Sequence, residues 1–281
     1  MTSAREAGRL LQALGDDPPQ GGLTFRDARK AAFEERYRRA ADSPASRLPA
    51  QVTIKHCDFR KLPVDDGSVD LLLTDPPWGV DFQHLHEPMS KVFARWLKPG
   101  GLLLAYVGNA SMPCFLDAFR ASGLTYQWLV ATANRPGDED DAVPWGSLKL
   151  GGKFSAALRP LLLFSKGKSF RLYKTPSDVL LTRVRYERTH PLNWQQSLDE
   201  ARYFVSRFAS PTAFIVDPFV GSGTNAVAVA LEGQGRRFVG GDIDKMCITI
   251  ARRRVSEAMA TTTPRTDRPG VLPEPARTPG R

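Results

Sequence analysis

Seven short aliphatic or β-branched runs, each the length of a buried strand, lie at Val52–Lys55, Val69–Thr74, Gly101–Val107, Leu124–Ala133, Leu158–Ser165, Ala213–Asp217 and Arg237–Asp242. Between several of them the apolar spacing turns helical, over His84–Leu97, Ser111–Ala121, Gln196–Phe208, Thr224–Glu232 and Lys245–Met259. Strands separated by helices pair through crossovers, which align them parallel and lay helices on both faces of the sheet. The expected fold class is α/β, with a mainly parallel seven-stranded sheet. Lys98-Pro99-Gly100-Gly101 supplies a helix stop ahead of one buried strand.

A chain of 281 residues suits one large domain with ragged ends better than two complete ones. The core is expected over residues 49–260, preceded by an arm over 1–48. Within the arm, Asp16-Asp17-Pro18-Pro19-Gln20-Gly21-Gly22 reads as a linker. After it, Thr24–Ala41 reads as a helix made basic by Arg26, Arg29, Lys30, Arg36, Arg38 and Arg39, suited equally to solvent and to phosphate contact. Asn134–Phe154, polar, Gly-rich and carrying Asp138-Glu139-Asp140-Asp141, is too long for an ordinary connection and is expected to be a short specificity insertion. Residues 261–281, rich in Pro, Thr and Arg, read as a disordered basic tail.

The formal net charge of +9 would draw the chain towards polyanions, although a high Arg content alone produces the same field. Cys57, Cys114 and Cys247 are far apart and form no CxxC pair, so neither a disulfide framework nor a zinc site is expected. Arg5 and Arg9 are followed by no apolar run of signal-peptide length, and no stretch reaches membrane-spanning length. A cytoplasmic protein without a membrane partner fits these observations.

One segment has the form of a nucleotide loop. Phe214-Ile215-Val216 leads into Asp217-Pro218-Phe219-Val220-Gly221-Ser222-Gly223-Thr224 and then into an Ala- and Val-rich helix. Gly221 and Gly223 let the backbone approach a ligand, and the helix start offers unpaired N–H groups to an anion. The next strand ends in Asp242, an acid suited to a ribose diol. Gly221-x-Gly223-x-x-Ala226 with Asp242 downstream also satisfies the dinucleotide fingerprint, so this segment alone leaves a nicotinamide or flavin enzyme open.

A second segment discriminates. Val69–Thr74 runs into Asp75-Pro76-Pro77-Trp78-Gly79, placing a carboxylate, two stiffening prolines and an aromatic at a strand's carboxyl end, where open α/β sheets bind ligands. Such a turn suits methyl transfer to a base amino group, a poor nucleophile because its lone pair is delocalised into the ring. Acceptors at Asp75 and the Pro76 carbonyl would hold the amino hydrogens while Trp78 stacks on the base. A base inside a duplex must first be swung out, at a cost of about a few kcal/mol that stacking partly offsets.

In these two motifs and in their order, residues 50 to 257 resemble the permuted class of amino-group DNA methyltransferases, in which Asp-Pro-Pro-aromatic precedes the cofactor loop. The resemblance implies a Rossmann-like methyltransferase fold, S-adenosyl-L-methionine as cofactor and DNA as substrate. It assigns Asp75, Pro76, Pro77 and Trp78 to catalysis. Asp217, Pro218, Phe219, Gly221, Ser222, Gly223, Thr224 and Asp242 become cofactor-binding, and Asp58, in His56-Cys57-Asp58, would face the cofactor adenine. Leu97-Lys98-Pro99-Gly100-Gly101 and Arg159-Pro160-Leu161-Leu162-Leu163-Phe164-Ser165-Lys166-Gly167 also resemble family segments. One departure stands out: the family often carries His-Pro-x-Gln-Lys-Pro before the cofactor strand, where this chain reads His190-Pro191-Leu192-Asn193-Trp194-Gln195. An Asp at the motif's head points to adenine N6 rather than cytosine N4. A catalytically silent DNA-binding relative is the competing reading of another class, disfavoured by an intact motif. The recognition sequence, a partner nuclease and the choice between monomer and homodimer are not encoded in any motif.

Overall fold

The computed structural model describes residues 48–134, 147–149, 154–182 and 196–261. The expected basic helix over Thr24–Ala41, the acidic run Asp138–Asp141, the His190–Gln195 segment and the tail beyond Thr261 lie outside the described residues.

Ten strands are described: β1 Val52–His56, β2 Val69–Thr74, β3 Leu97–Tyr106, β4 Leu124–Asn134, β5 Ser147–Lys149, β6 Phe154–Ala156, β7 Leu158–Lys166, β8 Val179–Thr182, β9 Phe214–Asp217 and β10 Arg237–Asp242. The helices are α1 His86–Trp96, α2 Met112–Ala121, α3 Leu198–Phe208, α4 Thr224–Glu232 and α5 Lys245–Thr261. All seven expected strands and all five expected helices are present, with ends shifted by a few residues.

The main sheet has eight strands rather than seven, in the order β1-β10-β9-β2-β3-β7-β4-β8. Seven run parallel and β7 runs against them. The added strand, β8, is a four-residue edge piece whose Val179 and Leu181 are exposed, too short and too polar in its flanks to carry a periodic signal. A second departure lies in the expected insertion, where β5 and β6 form a small antiparallel pair. The Lys98-Pro99-Gly100-Gly101 stop sits inside β3 as an irregularity: Val69 pairs with Leu97, but Leu71 already pairs with Leu102.

Each face of the sheet buries its own core. On one side the α1 side chains Met89, Phe93 and Trp96 and the α2 pair Phe115 and Phe119 pack on Leu72, Leu103 and Phe164. On the other, Phe204 and Phe208 of α3, Ala226–Ala230 of α4 and Ile248, Ala251 and Val255 of α5 pack on Leu71, Leu73, Leu104 and Ile215. The strand centres are apolar on both faces, as expected of parallel strands covered twice.

Candidate functional site

The central neighbours β2 and β9 are parallel, but the chain leaves β2 for β3 on one side and β9 for β10 on the other. Departing connections that diverge open a crevice at the strands' carboxyl ends. Here Thr74 and Asp217 end the two strands, and the crevice above them is a cleft of about 440 Å³, within the range of small-molecule sites. It is lined by Asp58, Asp75, Pro77, Asp217, Pro218, Phe219, Gly221, Ser222, Thr224 and Asp242, so both sequence motifs face one space. Of the remaining expected site residues, Pro76 and Gly223 are buried beneath the surface, and Trp78 stands 40% exposed with its Cβ against Gly108.

The glycine loop is shaped by backbone contacts. Val220 N–H donates to Gly241 O at 2.8 Å, and Gly223 N–H donates to Val220 O at 2.8 Å. Gly223 caps α4 in the left-handed region, φ 83°, without a side-chain hydrogen bond, so the first amides of α4 keep their donors for a ligand. A Cβ at Gly223 would lie 2.7 Å from both Cα and Cβ of Ala251 on α5, so the loop rests directly on that helix. From the same helix Arg254 Nη1 donates to Ser222 O at 2.8 Å, Ser222 Oγ at 3.0 Å and Thr224 Oγ1 at 3.1 Å, holding the loop from below.

Asp242 faces the loop from the tip of β10. Its Oδ2 accepts from Gly221 N at 3.0 Å and its Oδ1 from Asp244 N at 2.9 Å, while partial burial raises its pKa above the ordinary carboxylate value. Each oxygen retains a lone pair for a diol. Asp58 lies across the cleft, where Arg60 clamps it: Oδ1 accepts from Arg60 N at 2.9 Å and Nε at 2.8 Å, and Oδ2 from Nη2 at 2.6 Å. These bonds hold its carboxyl below the usual range. Phe59 and the exposed Ile243, which the motifs did not announce, join Phe219 of the loop motif in an apolar wall, with the Phe59 and Phe219 ring centroids 5.4 Å apart.

A buried seam joins the two motifs. Asp217 Oδ1 accepts from Thr74 Oγ1 at 2.7 Å and from Phe219 N at 3.1 Å, and its Oδ2 from Asn225 Nδ2 at 2.9 Å. Asn225 Nδ2 also donates to Leu73 O at 3.1 Å, tying α4 to β2. Loss of water pushes the Asp217 pKa up to about 7 despite these donors.

Beyond the seam, Asp75 Oδ1 accepts from Trp78 Nε1 at 2.7 Å, and its Oδ2 accepts from Gln196 Nε2. Burial lifts the Asp75 pKa to about 6, with the two hydrogen bonds and the Arg159 charge opposing the rise. Gln196 opens a network. Its Oε1 accepts from Arg159 Nη1 at 2.8 Å, Arg159 Nη2 donates to Glu200 Oε2 at 2.7 Å, and Tyr106 Oη donates to Glu200 Oε1. Topology explains the meeting: because β7 is antiparallel, its first residues, including Arg159, lie beside Tyr106 at the carboxyl end of β3.

Gln196, Arg159, Glu200 and Tyr106 are site residues that motif reading did not single out. One signal was present for Glu200: an acid at the head of the buried stripe Glu200, Phe204 and Phe208 of α3, where an amphipathic helix otherwise keeps only apolar side chains. The helix start also explains the position of Gln196. Ser197 is the N-cap, its side chain accepting from Glu200 N, while the Glu200 carboxylate turns to Arg159 and Tyr106.

No protein-family model matches the chain. Among solved structures, the PvuII DNA methyltransferase, described as cytosine-N4-specific, superposes with a TM-score of 0.61 at 14% identity, covering 74% of this chain and 87% of that one. M1.HpyAVI in complex with SAM gives 0.56 at 20% identity, covering 73% and 98%. The chain shares the Rossmann-like methyltransferase fold of these two structures. Sequence relatives of this methyltransferase-fold chain include YubD of Escherichia coli (strain K12), a methylase by name, 26% identical over 62% of this chain and 76% of that protein. Type II methyltransferase M.BglII of Bacillus subtilis is 24% identical over 69% of this chain and 66% of its own length. Release factor glutamine methyltransferase of Mycobacterium tuberculosis is 29% identical over 53% and 57%.

Proposed function

We propose that this chain is a DNA methyltransferase that transfers a methyl group from S-adenosylmethionine to an exocyclic base amino group, adenine N6. The observation that carries the reading is the shared cleft: Asp75 and the glycine loop with Asp242 open into one space of about 440 Å³. A nicotinamide enzyme would account for the glycines and Asp242 but would leave the Asp75–Trp78 turn without work.

The residues present fit the cofactor. The uncapped start of α4 suits a carboxylate, Asp242 retains acceptors for a ribose diol, and Phe59 and Ile243 form an apolar wall near the clamped Asp58 for a purine. When bound, S-adenosylmethionine supplies a sulfonium methyl that is lost as the sulfur becomes a neutral thioether. The protein's part is orientation. Asp75 and the Pro76 carbonyl accept the amino hydrogens and turn the nitrogen lone pair towards the cofactor side of the cleft. Trp78 offers a ring face to a base swung out of the duplex. As the nitrogen donates its lone pair to carbon it becomes cationic, and the neighbouring Asp75 carboxylate receives the proton it sheds.

The DNA assignment rests on the structural likeness to the PvuII DNA methyltransferase, on the similarity to the type II methyltransferase M.BglII and on the +9 charge; adenine rests on the Asp that heads the motif. The test is incubation with methyl-labelled S-adenosylmethionine and unmethylated genomic DNA, followed by digestion to nucleosides and mass spectrometry. N6-methyladenine is expected. N4-methylcytosine would move the assignment to the other base, and label in protein glutamine with none in DNA would overturn it. Calorimetric binding of NAD in preference to S-adenosylmethionine would refute the cofactor.

A further inference from the structure

Gln196 is half-buried, lines the same cleft as Asp75 and is its hydrogen-bonded neighbour. Its amide cannot turn over without penalty. Arg159 is a donor only, so the amide oxygen must face Arg159 and the amide nitrogen must face Asp75. Arg159 is itself fixed through Glu200, which is fully buried and also accepts from Tyr106. A flipped amide would set oxygen against carboxylate on one side and nitrogen against guanidinium on the other. The network therefore fixes which end of Gln196 meets a ligand.

The amide nitrogen carries two hydrogens. One goes to Asp75, and the other has no partner among the described residues. Asp75, for its part, keeps one lone pair on each oxygen after accepting from Trp78 and Gln196. The cleft thus presents an acceptor and a donor side by side.

Resting on the methyl-transfer reading, we infer that Gln196 reads the ring nitrogen next to the target amino group, so that Asp75 and Gln196 form one acceptor–donor pair for the base edge. Adenine offers N6–H and N1, and cytosine offers N4–H and N3, each a donor beside an acceptor. Guanine and thymine offer a ring N–H at the matching place, which would meet the Gln196 N–H head on. Arg159 and Glu200 are positioning residues, acting on the base only through Gln196.

The test uses a duplex carrying the sequence that the wild-type protein is found to modify, with the target base replaced by its deaza analogue, 1-deazaadenine or 3-deazacytosine. The analogue keeps the amino group but loses the ring acceptor. Its amino lone pair is less withdrawn and its duplex pairing weaker, so chemistry and flipping alone would favour it. We expect the opposite: wild-type protein loses about tenfold to a hundredfold in duplex affinity and in kcat/KM, the value of one hydrogen bond in a closed site. Gln196→Met should bind S-adenosylmethionine as wild type does, lose a similar factor on the natural base, and no longer distinguish the two duplexes. Arg159→Lys, which cannot hold Gln196 and Glu200 together, should discriminate less than wild type.

Wild-type protein that treats both duplexes alike, or a Gln196→Met protein that still discriminates, overturns the Gln196 role and leaves methyl transfer standing. Wild-type protein that methylates no base in DNA overturns both. If Gln196→Met fails to fold, the wild-type comparison of the two duplexes decides alone.

Discussion

The two walls of the cleft are built in different ways. On the glycine-loop side, the backbone does most of the shaping: Val220, Gly221 and Gly223 donate from their amides, α4 begins without a side-chain cap, and Gly223 rests on Ala251. On the Asp75 side, side chains from four separated stretches meet: Trp78 from the turn after β2, Tyr106 from β3, Arg159 from β7, and Gln196 and Glu200 from the start of α3. A backbone-built wall tolerates few conformations but many side chains, and suits the parts of a ligand, such as a carboxylate and a ribose, that keep their charge and hydrogen bonds through turnover. A side-chain wall suits a reacting group whose charge and hydrogen bonds change during turnover.

If that division is right, damage should separate cleanly. The largest effect is expected for Asp75→Ala, which removes the acceptor at the reacting nitrogen. Single-turnover methylation should fall by about a thousandfold or more while calorimetric S-adenosylmethionine binding stays within a few fold of wild type. Loss of cofactor binding in this variant would break the division. A pH series on wild-type protein sharpens it: an acceptor carboxylate must be ionised, so with its pKa raised to about 6 the rate should fall as pH drops through 6.

The reverse pattern is expected from Asp242→Ala. Removing one carboxylate from the loop side should weaken cofactor binding by about tenfold to a hundredfold, with little change in the rate at saturating cofactor. Smaller still, and spread over the whole fold, is Gly223→Ala. A left-handed φ of 83° and a Cβ 2.7 Å from Ala251 should cost about 1–3 kcal/mol, read as a drop of several degrees in Tm. An unchanged Tm would show that α5 yields and that the loop is not held by backbone packing.

The same contrast explains what the sequence disclosed. The loop wall is contiguous, so Asp217 to Thr224 could be read as a unit, and the alternation of runs placed seven of the eight strands. The Asp75 wall could be read only where it is local, in Asp75–Trp78. Asp75, Tyr106, Arg159 and the Gln196–Glu200 stretch are far apart in the chain, and their meeting depends on β7 running antiparallel, which no local pattern states. Edge strand β8 escaped because four residues give periodicity too little length. The fold was thus readable from repetition, the site only where it coincides with a run of neighbours.

Asp217 belongs to neither wall, and its protonation tests whether the seam is a rigid join. Its carboxyl is buried at 2% exposure, with the folded pKa raised to about 7 against an ordinary value near about 3.9 in an unfolded chain. The folded state therefore holds its proton longer. The contribution to stability is fully present below about pH 4 and is lost progressively as pH rises through 7. Asp217→Asn cannot titrate, although its amide nitrogen would oppose Asn225 Nδ2 and lower stability at every pH. Denaturant unfolding across pH 4 to 8 should then show the wild-type advantage over Asp217→Asn shrinking towards pH 7, by at most about 1.4 kcal/mol per pH unit at its steepest. A difference that stays constant with pH would mean that Thr74 and Asn225 hold Asp217 ionised throughout, and that the two walls are joined by a fixed charge rather than a neutral carboxyl.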